Sequence, residues 1–461
     1  MLAAASATLR RAPRLATPAG IAAAAAALGL LTGENPLLGV ALAVGVAFTL
    51  MVVSDLALGV CGFLLIAFLD VVSSGSDLSL TKAAGALLVV AWLATVATGT
   101  REGRSLLANH GALVAVLVAF LAWSALSAVW APDPGAAYRS TLRFGLNAVL
   151  LPIVYWAVRD RRHVVWVFAV FITGALLSVL WGLTQPKAAD SVSAAQVGRL
   201  SGATADANVL ATLMIVSAIF AVTLALVLRR SSVGRLLGVG AAIFALAALF
   251  ATFSRGGLVA LAFALLVGIA YGGRWRPALV ALALLAAAVG TIYISETSSV
   301  EVARLSSANS SGRVDLWTVG WRMVEANPVV GVGSGNYTIA EAGYLLFPGA
   351  IRASTYIVDK PLVAHNIYLH VLAEMGVIGL ALFLAVIALC IGSAVRAVAI
   401  FRERGDHTLE MLGRALVVSL AAILAADFFV SEQYSKQLWL LLAMGPALLS
   451  MARAAPSRRR G

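Results

Sequence analysis

A chain of 461 residues that is 61% hydrophobic and only 12% charged lies outside the range of soluble domains, which run near half apolar and a quarter charged. Its net charge of +12 is carried by short loops between apolar runs, a positive-inside distribution rather than a nucleic-acid footprint. Cys61 and Cys390 both fall inside apolar runs, so they support no disulfide framework. No Cys/His set has zinc spacing, and neither a metal nor another cofactor is implied.

Apolar runs of transmembrane length recur from end to end. The fold class is therefore all-α, a polytopic integral membrane protein of about 12–14 transmembrane helices with one long extracytoplasmic loop carrying short helices. In residues 1–183 the expected helices lie near 17–32, 36–53, 56–72, 83–99, 111–130, 140–158 and 163–183. The N-terminal Arg10, Arg11 and Arg14 with the Ala-rich run after them also fit a signal peptide. A retained first helix is favoured, because the next span follows only a few residues later, after Gly-Glu-Asn-Pro. Residues 184–294 hold helices near 208–228, 235–252, 257–272 and 276–294. Residues 295–375 form the long polar insert. Residues 376–461 hold helices near 376–396, 413–430 and 437–453, then a basic tail.

Alternate loops differ in Lys/Arg density. Arg101/Arg104, Arg159/Arg161/Arg162, Arg229/Arg230/Arg235, Arg274/Arg276, Arg396/Arg402/Arg404 and the Arg458–Arg460 tail fall on one side. By the positive-inside rule that side is cytoplasmic, both termini with it, and the long insert is extracytoplasmic. The expected location is a bacterial plasma (inner) membrane. A reaction on the outer face has no nucleotide sugar to draw on and needs a substrate that is already activated.

Four outer places carry polar groups with a possible task. In GRLSGATADANVLA, Arg199, Asp206 and Asn208 precede a span, where Asp and Asn also serve as ordinary helix caps. In ATFSRGG, Ser254 and Arg255 sit on a Gly-rich turn. An Arg there is costly to keep in an apolar frame, and the glycines permit close approach to a ligand. In SGRVDLWTVGWRMVEANPVVGVGSGNY, Arg313 opens a helical run with Trp317 and Trp321 four apart. That pair equally suits an amphipathic helix on a membrane surface. The following GVGSG resembles a phosphate-cradling loop but lacks the flanking strand that gives such a loop its meaning. In LVAHNIYLHVLAEMGVIG, His365, Asn366 and Glu374 precede the twelfth span, with His370 deeper in the apolar run. A lone His in a helix is more often structural than catalytic.

Taken together, the Arg199-Leu-Ser-Gly…Asn208 segment, the Ser254-Arg255-Gly-Gly turn, Gly312-Arg313…Trp317, Asn327-Pro328…Gly331-Val-Gly-Ser-Gly, His365-Asn366…Glu374-Met-Gly and Lys436…Trp439 resemble the O-antigen ligase / O-antigen polymerase family of membrane glycosyltransferases. The resemblance covers roughly 190–445 and rests on order and spacing rather than on any one motif. It implies transfer of a glycan from undecaprenyl diphosphate to an acceptor hydroxyl, without a metal. The implied partners are the undecaprenyl-diphosphate-linked donor, a glycan, lipid or protein acceptor, and membrane lipids. Carried over by motif, His365 is the base and Arg255 and Arg313, with Arg199 after them, bind the lipid diphosphate. Asn366, Glu374, Ser254, Asn208 and Tyr337 are supporting groups. About fourteen spans would exceed the dozen usual in that family, which bears on the first pair. The rival reading is a polytopic transporter or a lipid-linked glycan flippase. It would call for ionisable residues near mid-bilayer and for broken helices in paired positions.

Overall fold

Hydrocarbon offers the backbone no hydrogen-bond partners, so an apolar run that crosses it closes its own bonds as a helix. The computed structural model describes residues 29, 45–52, 54–69, 80–97, 105–184, 199–204, 206–296, 313–345 and 363–454. Among these every regular element is helical. We label the principal ones α1 (Leu56–Phe68), α2 (Leu80–Ala97), α3 (Gly111–Leu126), α4 (Pro134–Ala148), α5 (Leu150–Ala157) and α6 (Arg161–Thr184). Then come α7 (Ala207–Val227), α8 (Ser232–Ala251), α9 (Arg255–Tyr271) and α10 (Arg276–Glu296). The polar insert contributes α11 (Arg313–Ala326) and α12 (Tyr337–Leu345), and α13 (Ile367–Glu403), α14 (His407–Ala426) and α15 (Lys436–Ala454) complete the chain. Nine helices among the described residues are long and apolar enough to cross a membrane, and α1 and α9 are shorter apolar helices. The protein is an all-α polytopic membrane protein.

The bundle is organised around α7, α14 and α15, which are buried along most of their length. α7 packs on α6, α8 and α14, while α13 packs on α3, α14 and α15. α2 and α10 bury little of their surface, as helices at a lipid-facing rim do. Of the first expected pair, only 29 and 45–52 lie among the described residues, and both are helical.

Two expected spans come out differently. The run 140–158 is two helices, α4 and α5, joined at Val149. Pro152 has no N–H to offer the Ala148 carbonyl, so the ladder restarts there. The span placed at 376–396 begins nine residues earlier, at Ile367. Its 37 residues make about 55 Å of helix, well beyond the ~30 Å hydrocarbon thickness. The extra length is set apart by a break at Gly376, whose φ of 64° and ψ of −172° are not helical.

That break is where the insert docks. The Val377 amide donates to the Pro328 carbonyl (2.9 Å), Val332 to Ala373 (2.9 Å) and Gly333 to Glu374 (2.8 Å). The strap 327–336 therefore satisfies the backbone groups that the break strands. Its glycines permit the contact. A Cβ on Gly331 would strike the Glu374 and Met375 backbone, one on Gly333 the Ala131 Cα, and one on Gly335 the Ala136 carbonyl oxygen.

Candidate functional site

Two turns of the same build stand at one end of the bundle. Each has a non-glycine residue at positive φ, then an extended cap residue, then a helix. In the first, Phe253 (φ 47°) precedes Ser254, whose hydroxyl accepts from the Gly257 amide at 3.0 Å and starts α9 at Arg255. In the second, His365 (φ 46°) precedes Asn366, whose Oδ1 accepts from Tyr368 (3.0 Å) and Leu369 (3.1 Å) and starts α13. A left-handed conformation costs a non-glycine residue about 1–3 kcal/mol and persists only where its surroundings fix it. His365 is fixed from three sides. Trp317 Nε1 donates to the Ala364 carbonyl (3.0 Å), the Asn366 amide to Ser431 Oγ (3.2 Å) and the Ile367 amide to the Asp427 carbonyl (2.9 Å).

The first turn is held by Arg199. Its Nε donates to the Thr252 carbonyl (2.7 Å) and its Nη2 to Asn208 Oδ1 (3.0 Å), which also accepts from Ser254 Oγ (2.8 Å). Beside it Asp206 caps α7, accepting from the amides of Asn208 (2.6 Å) and Val209 (3.3 Å). Arg199, Asn208 and Ser254 thus form one network that positions the Ser254-Arg255 turn.

The loop 427–435 closes the third side. Phe429 lies against Gly256, next to Arg255, and the Arg313 guanidinium sits 5.7 Å from the same ring. The Arg255 turn and the Arg313 guanidinium therefore meet at one aromatic side chain. Burial lowers the His365 imidazole below its ordinary value, Arg313 and His370 push the same way, and the Asp206 carboxylate opposes them. The imidazole is accordingly neutral, and able to accept a proton, around neutral pH.

Two acids of this loop gain significance only in the fold. Burial and the nearby Asp206 push the Glu432 carboxyl up to about 7, against the pull of Lys436. Burial, reinforced by Glu432, also holds Asp427 well above the usual carboxylate range. The sequence offered no local signal for either: they lie more than sixty residues after His365 and about two hundred after Asp206.

Glu374 and Tyr337 are placed elsewhere, in a buried layer beneath the strap. Glu374 Oε1 accepts from the Tyr337 amide (3.1 Å) and lies 3.2 Å from His370 Nε2. The Tyr337 ring stacks on His370 at 5.0 Å, and its hydroxyl donates to the Leu316 carbonyl (3.0 Å). These groups tie α11, α12 and α13 together. The phosphate-cradle reading of GVGSG does not survive the geometry. The amides of Val332, Gly333 and Ser334 are already donated to Ala373, Glu374 and Ser127 Oγ, leaving no nest for an anion.

The arrangement brings a neutral imidazole, the Arg313 guanidinium, the Arg255 turn and a set of carboxyls to one end of the helices. Among curated proteins no match is found. Residues 240–384 match the family model described as O-antigen ligase. The matched segment contains the Ser254-Arg255 turn, α11, the strap and the His365 turn. Over those residues this polytopic membrane protein is similar to the O-antigen ligase family.

Proposed function

We propose that the protein transfers a glycan from undecaprenyl diphosphate to an acceptor hydroxyl at the outer face of a bacterial plasma membrane. The positive-inside pattern supports that orientation: Arg229, Arg230, Arg274, Arg276, Arg402 and Arg404 cluster at the end opposite His365. The observation that carries the reading is the His365 turn, strained and held from three sides, beside Arg313 and opposite the Arg255 turn.

In this reading the His365 imidazole takes the proton of the acceptor hydroxyl as its oxygen attacks the anomeric carbon. The new carbon–oxygen bond forms as the bond to the diphosphate oxygen breaks, and the configuration at that carbon inverts. The leaving diphosphate carries the electron pair, and Arg255 and Arg313 meet its growing charge. Guanidinium forks suit phosphate oxygens and stay protonated. Such a donor, aimed at developing charge, is worth about 2.7–4 kcal/mol in the barrier. Arg199, committed to Thr252 and Asn208, acts by holding the Arg255 turn rather than by touching substrate. The acceptor is a glycan, lipid or protein bearing a free hydroxyl.

The test is reconstitution of the purified full chain with a radiolabelled undecaprenyl-diphosphate oligosaccharide and candidate acceptors, with and without His365→Ala. Transfer by the wild type and none by the folded variant supports the reading. Wild-type-like transfer by His365→Ala removes the base.

A further inference from the structure

α9 starts at Arg255 and α14 ends beside Asp427, so Tyr271 and Glu410 lie at the far ends of these two helices, away from His365. There three segments meet around one buried acid. Glu410 is 3% exposed. Its Oε1 accepts from Arg414 Nε (3.1 Å) and Nη2 (3.0 Å), and its Oε2 from Arg274 Nη2 (3.2 Å). Arg414 Nη1 donates to the carbonyl of Tyr271, the last residue of α9. Arg274 belongs to the turn Gly273–Trp275 that joins α9 to α10. Two guanidinium groups thus share one carboxylate, and the cluster carries a surplus positive charge that burial makes costly. Asp406 is occupied in capping α14, accepting from the Leu409 amide (3.1 Å). Arg276, exposed beside the turn, adds to the surplus.

A narrow cleft opens next to this cluster. Val222 and Leu226 of α7, Leu279 and Leu282 of α10, and Met411 and Ala415 of α14 line it, with Arg414 and Trp275 at its edge. Trp275 Nε1 is buried and has no hydrogen-bond partner among the described residues. A buried indole N–H ordinarily finds an acceptor. The Arg274 guanidinium lies 5.0 Å from the same ring, so an acceptor that reaches the indole also comes under that charge. The cleft holds about 40 Å³, which seats one edge of a hydrocarbon chain and not a whole molecule. An apolar crease, surplus guanidinium charge and a donor without an acceptor together describe a lipid with an anionic phosphate.

We propose that this is a binding site for an anionic phospholipid. Its phosphodiester oxygens meet Arg274, Arg276 and the Trp275 N–H, and one acyl chain lies along the cleft. A zwitterionic lipid would bring a cation of its own to the cluster, so headgroup charge is what the site selects. The site stands apart from the glycan chemistry: it is about 25 Å along α9 from Arg255, for 17 residues.

The experiment places the full chain in phosphatidylcholine nanodiscs doped with a phosphatidylglycerol that carries a photoreactive group near the top of one acyl chain. Crosslinked peptides should include 271–282 and 407–418. Unlabelled phosphatidylglycerol should compete at least tenfold better than phosphatidylcholine. Trp275→Phe keeps a ring and removes the donor; Arg276→Gln removes an exposed charge. Each should cut the labelling about tenfold, the size of one bond to a charged group. Arg161→Gln, an exposed charge at the start of α6 on the same side, should label as wild type does. Melting temperatures read alongside show that the variants are folded, and if one is not, the other gives the reading. Labelling confined to other helices, or equal competition by phosphatidylcholine, overturns the site. An equal loss in Arg161→Gln overturns it too, by reducing it to a diffuse basic field. Competition by soluble glycerol phosphate as strong as by the lipid would show a free-phosphate site instead, and wild-type labelling by both Trp275→Phe and Arg276→Gln would refute the headgroup contacts.

Discussion

Replacing Gly376 with Ala tests how the strap holds the site. The added Cβ would fall within the van der Waals shell of the Val329 carbonyl and the Val330 nitrogen, both backbone atoms that cannot rotate away. The residue would also have to keep a φ of 64°, which costs an L side chain about 1–2 kcal/mol. If the strap lifts to make room, three backbone bonds go: Val377 to Pro328, Val332 to Ala373 and Gly333 to Glu374. At about 0.5–1.5 kcal/mol net each they add roughly 1.5–4.5 kcal/mol. The total, about 2.5–6.5 kcal/mol, is a large share of the 5–15 kcal/mol typical of a folded domain.

Gly392 supplies the internal control. It lies in the same helix, at ordinary helical φ, and a Cβ there meets nothing within 4 Å. Ala at Gly392 should be neutral or stabilising by up to about 1 kcal/mol. Thermal unfolding of both variants in the same nanodiscs should show Gly376→Ala melting well below wild type and Gly392→Ala at or above it. Transfer activity should fall in Gly376→Ala, because the segment it unmoors begins with His365 and Asn366. Equal melting temperatures for the two variants would refute the reasoning.

Three further outcomes follow from the same geometry. Asn tolerates the left-handed region better than other non-glycine residues, so His365→Asn should keep a near-wild-type melting temperature while losing glycan transfer, measured in parallel on one preparation. Asn208→Ala removes the acceptor shared by Arg199 and Ser254; a bond to a charged group is worth about 1.5–3 kcal/mol, and the variant should melt lower and show a raised KM for the donor. Glu432→Gln should change stability with pH. The folded carboxyl is pushed up to about 7, above its unfolded value, so its ionisation penalises the fold increasingly as pH rises from the ordinary carboxylate range through 7. Melting temperatures should therefore favour Gln at pH 8 and converge with wild type at pH 4; a constant offset at both would show that this carboxyl is not held protonated.

Most spans were legible because membrane crossing imposes a length and an apolar composition that any window can read. The start of α13 was not. Hydropathy marks a span near 376–396 but is blind to the nine helical residues before it, which carry His370 and Glu374. Nor could it show that the Gly-rich run is a backbone strap. Glycines that admit a ligand and glycines that admit another stretch of chain look alike in one dimension. Only the bonds to Ala373 and Glu374 separate the two.

For the candidate site the sequence supplied the turns and the fold supplied the relations among them. Arg255 and His365 stand out in sequence because each is a polar group beside a turn in an apolar frame. That the two turns repeat one construction is a matter of backbone dihedrals, which no residue pattern encodes when the strained positions are Phe253 and His365 rather than glycine. Such strain at two caps is maintained by bonds from distant segments: Trp317 and Ser431 around His365, Arg199 and Thr252 around Ser254. An imidazole placed this way has little freedom to swing toward the Asp206 carboxylate, the charge that favours its protonated form. Burial by the surrounding segments, with Arg313 and His370 acting the same way, favours its neutral form. Loosening any one of those bonds should therefore raise the His365 pKa as well as displace the ring. An NMR titration of a ¹⁵N-histidine-labelled Ser431→Ala protein would read that as an upward shift from wild type. An unchanged His365 titration would mean that burial alone, and not the bracing of the turn, sets its protonation.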